Sequence, residues 1–443
     1  MAKKSNFHTP VNLSINVNMV NICLWILTGL LALGNFQRIQ ITETLVIYGH
    51  DLLMPMLIGL IWFQDRQVFA QWKNLWRNAI IKTLFIWAGL IFIYHFSQQN
   101  WLFLAYNLRF LLYITFGMTL WSTKLISNSS KWLGLGLYSL VLIGWGWWQY
   151  LFLPDTRFLA VFGWDDHYFR LIGTAFDPNF TGALLGMLLI CWQFLAKTFK
   201  QKFIWLKWLM TGLLLLTLGL TYSRASYLSL LVGISALVIL AKRGHVILAL
   251  PSVILALPSV ILAKRRNKAL VIPAPPSVIP ALAGIRWLGL GLTALVLGVV
   301  LIIATQKSGE GMNLARTASI QARVTHELQI LKAWSLQDWL MGSGFKLKIQ
   351  TPVTKQIITP PNLARLPNNL IITLISGWGV IGLGLLLNAL RKTKPWQSLN
   401  PSQLGLWALI LIHSQFNNTL LHPLVLPILI LSLLACQNRL SAR

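Results

Sequence analysis

Carboxylates are few in this chain: ten Asp and Glu stand against 37 Lys and Arg in 443 residues, a formal charge of +27. Charged residues of both signs come to 11%, while 56% of the chain is hydrophobic. A water-soluble globule needs roughly a quarter of its residues charged to cover its surface, so a set of soluble domains is excluded. Cysteine is scarcer still. Cys23, Cys191 and Cys436 each fall in or at the end of an apolar stretch, which reads as three small buried hydrophobes rather than a disulfide framework or a metal set.

What is abundant is apolar length. A helix needs about 20 apolar residues to cross a bilayer, and twelve stretches supply them or nearly so: 19–36, 44–63, 80–97, 101–121, 131–153, 179–196, 206–222, 225–241, 287–304, 368–389, 403–416 and 420–436. The 21 tryptophans suit side chains that sit at bilayer interfaces. Lys3 and Lys4 precede the first stretch as in a signal peptide, and Ala32-Leu33-Gly34 is weakly cleavage-like, but the polar lead is long for a signal and favours an uncleaved helix.

The cations sort by side. They form no folded basic face, which excludes nucleic acid as a partner; they lie in short clusters between apolar runs. With the N-terminus inside, the inner segments collect Lys3, Lys4, Arg66, Lys73, Arg77, Lys124, the 197–207 and 242–268 clusters, Arg391, Lys392 and Lys394, while Asp65 alone of the ten acids falls there. Inner loops of membrane proteins are enriched in Lys and Arg, so both termini are expected in the cytoplasm. The expected fold is all-α and polytopic, with about 12 transmembrane helices and one large outer loop carrying short helices between spans 9 and 10. Residues 1–241 hold spans 1–8, 242–286 an inner repeat loop, 287–304 span 9, 305–367 the outer loop and 368–443 spans 10–12.

Two loops differ from the rest. The inner one repeats Val246-Ile-Leu-Ala-Leu-Pro-Ser as Val253-Ile-Leu-Ala-Leu-Pro-Ser, with an echo at Pro276. A proline in each unit forbids a continuous helix, and the segment reads as a repetitive insertion without catalytic role. The outer loop is long for a connection without function. Ile320, Val324, Leu328, Leu331 and Trp334 predict an amphipathic helix in its first half. Its basic residues break the inside-positive trend, either because long loops are exempt or because the loop meets an anion.

Charge inside or beside a span needs a reason, because an ionisable side chain costs about 2.5 to 3.5 kcal/mol there on insertion scales. Arg109 lies well within the fourth stretch. Leu220-Thr-Tyr-Ser-Arg-Ala-Ser-Tyr227 is a polar hinge between two apolar helices, where Arg224 and Ser223 offer donors suited to phosphate oxygens. In Gly173-Thr-Ala-Phe-Asp-Pro-Asn-Phe-Thr181, Asp177 is an N-cap and Pro178 a first helical residue, while Asn179 is not required by capping.

These segments resemble the O-antigen ligase and O-antigen polymerase superfamily of integral membrane proteins. Phe176-Asp-Pro-Asn-Phe-Thr-Gly182 looks like its Asn-containing helix start, and Leu220-Thr-Tyr-Ser-Arg-Ala-Ser226 like its Ser-Arg hinge. Arg323, Trp334 and Met341-Gly-Ser-Gly-Phe345 are similar to the series in its outer loop; Leu366-Pro-Asn-Asn-Leu370 and Gly377-Trp-Gly-Val-Ile-Gly382 look like the His-Asn pair and Gly-rich helix that close it. The resemblance implies an inverting transfer of a glycan from a polyprenyl-diphosphate-linked donor to a lipid or glycan acceptor, on the outer side of a bacterial inner membrane, with membrane lipids as surroundings. It implies no cofactor and no metal, which suits the scarcity of acidic ligands. Arg224 and Arg323 would clamp the diphosphate, with Arg109, Asn179, Ser223, Asn368 and Asn369 as substrate contacts.

In place of the family's His-Asn stands Asn368-Asn369. An amide cannot take a proton from the acceptor hydroxyl at neutral pH, so the base lies elsewhere, with His326 and Glu327 the candidates in the loop, or the protein is a non-catalytic relative. A transporter or transport-associated protein, for inorganic carbon for example, is the alternative from another class. Against it, no carboxylate falls in the middle of a stretch.

Overall fold

The computed structural model describes residues 18–42, 45–162, 164–165, 167–195, 204–242, 318–344 and 367–437. The protein is mostly helical, as apolar segments in lipid must be if their amides are to be satisfied within each segment. In chain order the helices are α1 Met19–Leu33, α2 Gly49–Gln64, α3 Gln67–Leu75, α4 Ala79–Ser97, α5 Trp101–Ser122, α6 Asn128–Phe152, α7 Pro178–Leu195, α8 Ile204–Gly219, α9 Arg224–Lys242, α10 Ala318–Ala333, α11 Leu336–Met341, α12 Leu370–Thr393, α13 Pro401–His413 and α14 Val425–Ala435. A short ribbon, β1 Arg38–Gln40 against β2 Val46–Tyr48, joins α1 to α2. Side-chain caps start many of these helices, among them Asn18, Asn78, Asn100, Ser127, Asn369 and Asn400.

A helix lies over each apolar stretch read from the sequence that falls among the described residues, and 287–304 is the one that does not. That stretch lies outside the described residues, as does the repeat within 242–286 apart from Lys242. Among the described residues five helices are long and apolar enough to cross a membrane: Met19–Gln37, Ala79–Ser97, Trp101–Ser122, Pro178–Leu195 and Leu370–Thr393. Shorter apolar helices run over Trp208–Gly219, Arg224–Leu237, Pro401–His413 and Val425–Ala435. On α4, Ile86, Leu90 and Ile93 make an outward stripe exposed by 58%, 50% and 68%. An apolar stripe of that kind on the outside of a helix is what contact with lipid requires.

The core surrounds α7 and α14. From Thr181 to Cys191 every residue of α7 is buried, and α14 is buried along most of its length; a helix hydrophobic on all sides belongs inside the bundle. Cys191 and Cys436 are both buried there as free thiols, their sulfurs 3.8 Å apart. Where α9 crosses α13 there is no room for side chains: a Cβ at Gly233 would stand 2.9 Å from Gly405 O. Small residues at such a crossing let two backbones pack closely without a hydrophobic driving force.

A second, smaller core joins α4, α5 and α12 through Trp87, Ile91, Phe103, Leu104 and Trp378. Gly379 breaks α12 there at φ +67°, and Trp87 Nε1 donates to Trp378 O at 3.0 Å across the break. The segment from Leu340 to Gly344 docks on this kink. A Cβ at Gly379 would collide with the Leu340 carbonyl, and one at Gly342 would stand 2.8 Å from Gly377 O. Gly344 N donates to Ser376 O at 3.0 Å, and the Ser343 and Ser376 hydroxyls are 2.8 Å apart. The two glycine runs of the sequence are therefore the two sides of one seam.

The amphipathic helix expected within 305–367 exists as α10, and the face it buries is partly polar. Val324 and Leu328 are about half exposed, whereas Glu327 and Ile330 are buried and Arg323 and His326 half-buried. The polar pair turns inward because each member has a partner there: Arg323 Nη1 donates to Phe416 O at 2.9 Å, and Glu327 Oε1 accepts from Asn368 N at 2.6 Å.

Candidate functional site

The segment between α6 and α7 positions the site. Asp177 caps α7, its Oδ1 accepting from Asn179 N at 2.6 Å and Phe180 N at 3.0 Å, with Pro178 as the first helical residue. Upstream, Gln149 of α6 accepts from Ile172 N at 2.9 Å, and Leu171 N donates to Leu220 O at 2.9 Å. The same strand of chain places Arg170, 4% exposed, against the hinge between α8 and α9. Its Nε donates to Thr221 O at 3.1 Å and its Nη2 to Tyr222 O at 3.4 Å. Tyr222 and Phe176 stand at φ +50° and +54°. Bulky residues held in the left-handed region cost about 1 to 2 kcal/mol each, and such positions cluster at functional sites.

A cavity of about 710 Å³ opens between these elements. One part of its wall is apolar and aromatic: Phe103, Phe110, Phe180, Trp378, Leu421 and Leu426. Another carries Arg109 from α5, Arg170, and Arg323 from α10, with His326, Asn368 and Asn179. Of the residues singled out from sequence, it thus brings together Arg109, Asn179, Arg323, His326 and Asn368. Ser223 lies directly behind, donating to Asn179 Oδ1 at 2.9 Å. Asn369 caps α12 and donates from Nδ2 to Gln415 O at 3.3 Å. Arg224 opens α9 and is half-buried, but it is not among the residues that line this cavity.

Arg109 is balanced by a partner that charge counting along the stretches does not reveal. Asp51, at the start of α2, lies 3.0 Å from its guanidinium, both side chains nearly buried, and Arg109 also donates to Val46 O. Asp51 in turn accepts from Tyr48 N at 3.0 Å and Tyr113 Oη at 2.6 Å. Removing one partner of such a buried, hydrogen-bonded pair is costly, because the other is left as an uncompensated charge.

The two base candidates are not equivalent. Glu327 Oε1 accepts from Asn368 N and, at 3.2 Å, from Asn369 N, so the carboxylate holds the Asn368-Asn369 turn. Burial pushes its pKa up, partly offset by these two amides and by the nearby His326 and Arg323. His326 lines the cavity itself.

Among the described residues, Asp165, His167 and Asp177 form the group that could hold a metal ion, one ligand atom from each lying within 4.8 Å of the others. All three line the cavity, and Asp177 is already engaged as the cap of α7. Arg170 is the site residue that sequence reading overlooks. It sits in the connection between α6 and α7, where an arginine calls for no explanation, and only the fold turns it inward. Compared with known proteins, the chain matches no family model and no curated protein.

Proposed function

We propose that the protein transfers a glycan from a polyprenyl-diphosphate-linked donor to an acceptor hydroxyl at the outer face of the bacterial inner membrane, as an O-antigen ligase or polymerase does. The observation that carries this reading is the cavity in which three arginines from separate parts of the chain meet an aromatic and aliphatic wall. Such a cavity suits an amphipathic ligand with an anionic head: guanidinium forks bind phosphate oxygens, and the apolar wall takes a prenyl chain. With twelve crossings and both termini cytoplasmic, as expected from the sequence, this cavity would open on the outer side.

In this reading Arg323 and Arg170 clamp the diphosphate, the pairing expected for Arg323 and Arg224 passing to the arginine that lines the cavity. Charge developing on a departing diphosphate is offset by guanidinium groups already fixed by the protein, so no reorganisation is needed as the bond to the sugar breaks. His326, on the cavity wall, takes the proton of the acceptor hydroxyl as that oxygen attacks the anomeric carbon from the opposite face. Glu327 holds the Asn368-Asn369 turn and orients that wall.

The transport alternative would need a carboxylate able to gain and lose a proton or an ion near the middle of the membrane. Asp51 is the buried candidate, and its oxygens are bound by Arg109, Tyr48 N and Tyr113, which weighs against it.

The test is to replace Arg170, Arg323 and His326 singly by Ala and examine the length and attachment of surface polysaccharide at matched protein levels. Loss or shortening is expected in each; a normal profile in all three would exclude the transfer reading.

A further inference from the structure

Behind the cavity wall, hydroxyls and one imidazole run in a line. Thr419 Oγ1 lies 2.6 Å from His413 Nδ1, His413 Nε2 lies 3.0 Å from Ser226 Oγ, Ser226 Oγ lies 2.8 Å from Ser223 Oγ, and Ser223 Oγ lies 2.9 Å from Asn179 Oδ1. Thr419, His413, Ser226 and Ser223 are all at most 1% exposed. Buried polar groups must satisfy one another, and a hydroxyl has one proton to give.

The direction of the line is set by the Ser226 hydroxyl, which donates to Ser223 Oγ. Ser223 Oγ accepts from Ser226 N at 3.3 Å and from the Ser226 hydroxyl at 2.8 Å. Both its lone pairs are used, so the atom of Asn179 that faces it must be an acceptor, the amide oxygen. Ser226, its proton spent, takes one from His413 Nε2–H, and His413 Nδ1 then takes the proton of Thr419. The competing contacts, Ser226 Oγ to Asn179 O at 3.2 Å and Thr419 Oγ1 to Asn417 O at 3.0 Å, are longer than the links they would replace.

With its oxygen turned toward Ser223, Asn179 has the donor nitrogen on its other branch, and Asn179 lines the cavity together with Arg170 and Arg323. We propose that this buried relay locks Asn179 as a two-proton donor to phosphate oxygens in the cavity, and that His413, on a different helix, is a positioning residue for it. The ligand's identity rests on the lipid-diphosphate reading above; the orientation of the amide does not. A donor-only group near the N-terminus of α7, where the helix dipole is positive, adds selectivity for an oxyanion over a neutral sugar oxygen.

The experiment titrates the purified full-length protein in detergent with farnesyl diphosphate and, separately, inorganic pyrophosphate, with thermal unfolding measured alongside. Asn179→Asp, which swaps donor for acceptor and adds a like charge, is expected to weaken both ligands tenfold or more. Ser223→Ala and His413→Leu are expected to weaken them severalfold, and His413→Gln, which keeps an N–H at the position of Nε2, to bind like the native protein. If His413→Leu does not fold, Ser223→Ala decides, since it removes one hydroxyl and no bulk. Native-like affinity in Asn179→Asp and Ser223→Ala, with binding lost in Arg323→Ala, sinks the relay and leaves the transfer reading standing; so does equal weakening by His413→Leu and His413→Gln. Pyrophosphate binding that obeys the relay variants, without binding of farnesyl diphosphate, supports the relay and removes the lipid donor. A native protein that binds neither ends both.

Discussion

The guanidinium of Arg170 reaches Tyr222 across a buried gap, with Nη2 3.4 Å from the Tyr222 carbonyl oxygen, while Tyr222 itself is held at φ +50°. The same fork takes the Thr221 carbonyl. An arginine that binds two successive carbonyls fixes a strained turn and, lining the cavity, also fixes its own position there. Arg170→Lys keeps the charge and loses the planar fork. A hydrogen bond to a charged group contributes about 1.5 to 3 kcal/mol, so farnesyl diphosphate affinity should fall about tenfold or more in this variant. Equal affinity in Arg170→Lys and the native protein would show that charge alone suffices.

Asp51 and Arg109 give a test of stability rather than of binding. Removing one partner of a buried pair leaves an uncompensated charge and costs about 3 to 5 kcal/mol. Asp51→Asn and Arg109→Gln should each lower the unfolding midpoint in detergent markedly, and the double variant should lie well above the sum of the two losses. Strict additivity would mean that the two side chains do not depend on one another.

Glu327 supplies the pH dependence. Its folded pKa lies above the usual carboxylate range because burial disfavours the charged form. The folded protein therefore binds this proton more tightly than the unfolded chain does, and the stability it contributes is complete below the ordinary Glu value and lost as pH rises through the raised one. Glu327→Gln, which keeps an oxygen for Asn368 N and Asn369 N, should flatten that part of the stability profile. A native and a Gln profile that run parallel through the window between the two values would contradict the assignment.

At the seam, Gly379→Ala meets both a left-handed backbone and the Leu340 carbonyl. The conformation alone costs about 1 to 2 kcal/mol, so unfolding should shift to lower temperature. Gly384→Ala on the same helix meets nothing within 4 Å and should be neutral or stabilising. Equal effects would mean that the seam is not close-packed.

Deleting 244–285 should leave surface polysaccharide unchanged, since the repeat reads as an insertion. A lost profile at normal protein levels would give that segment a role.

Most helix positions could be read from the chain because apolar length and polar caps are local signals. Asn100, Ser127 and Asp177 announce their helices within a few residues. The Asp177-Pro178-Asn179 start and the Ser223 hinge were visible for the same reason. Partners across the bundle were not. Asp51 is the counter-charge of Arg109, 58 residues away in sequence, and nothing local distinguishes it from an interfacial acid. His413 ends an apolar helix like any interfacial histidine, and its place in the line to Asn179 depends on how α13 crosses α9. For α10 the spacing gives an apolar side but not where it packs: that side avoids water, and beside a membrane it can point outward.

Gly344 is bound to Ser376, and Pro367 O accepts from the Thr373 hydroxyl at 2.9 Å. Gly344 and Pro367 are thus both held to one turn of α12, between Thr373 and Ser376. Two pieces of chain far apart in sequence share that turn as a common anchor, so a change that unwinds α12 there would release both at once, and Asn368 on the cavity wall with them.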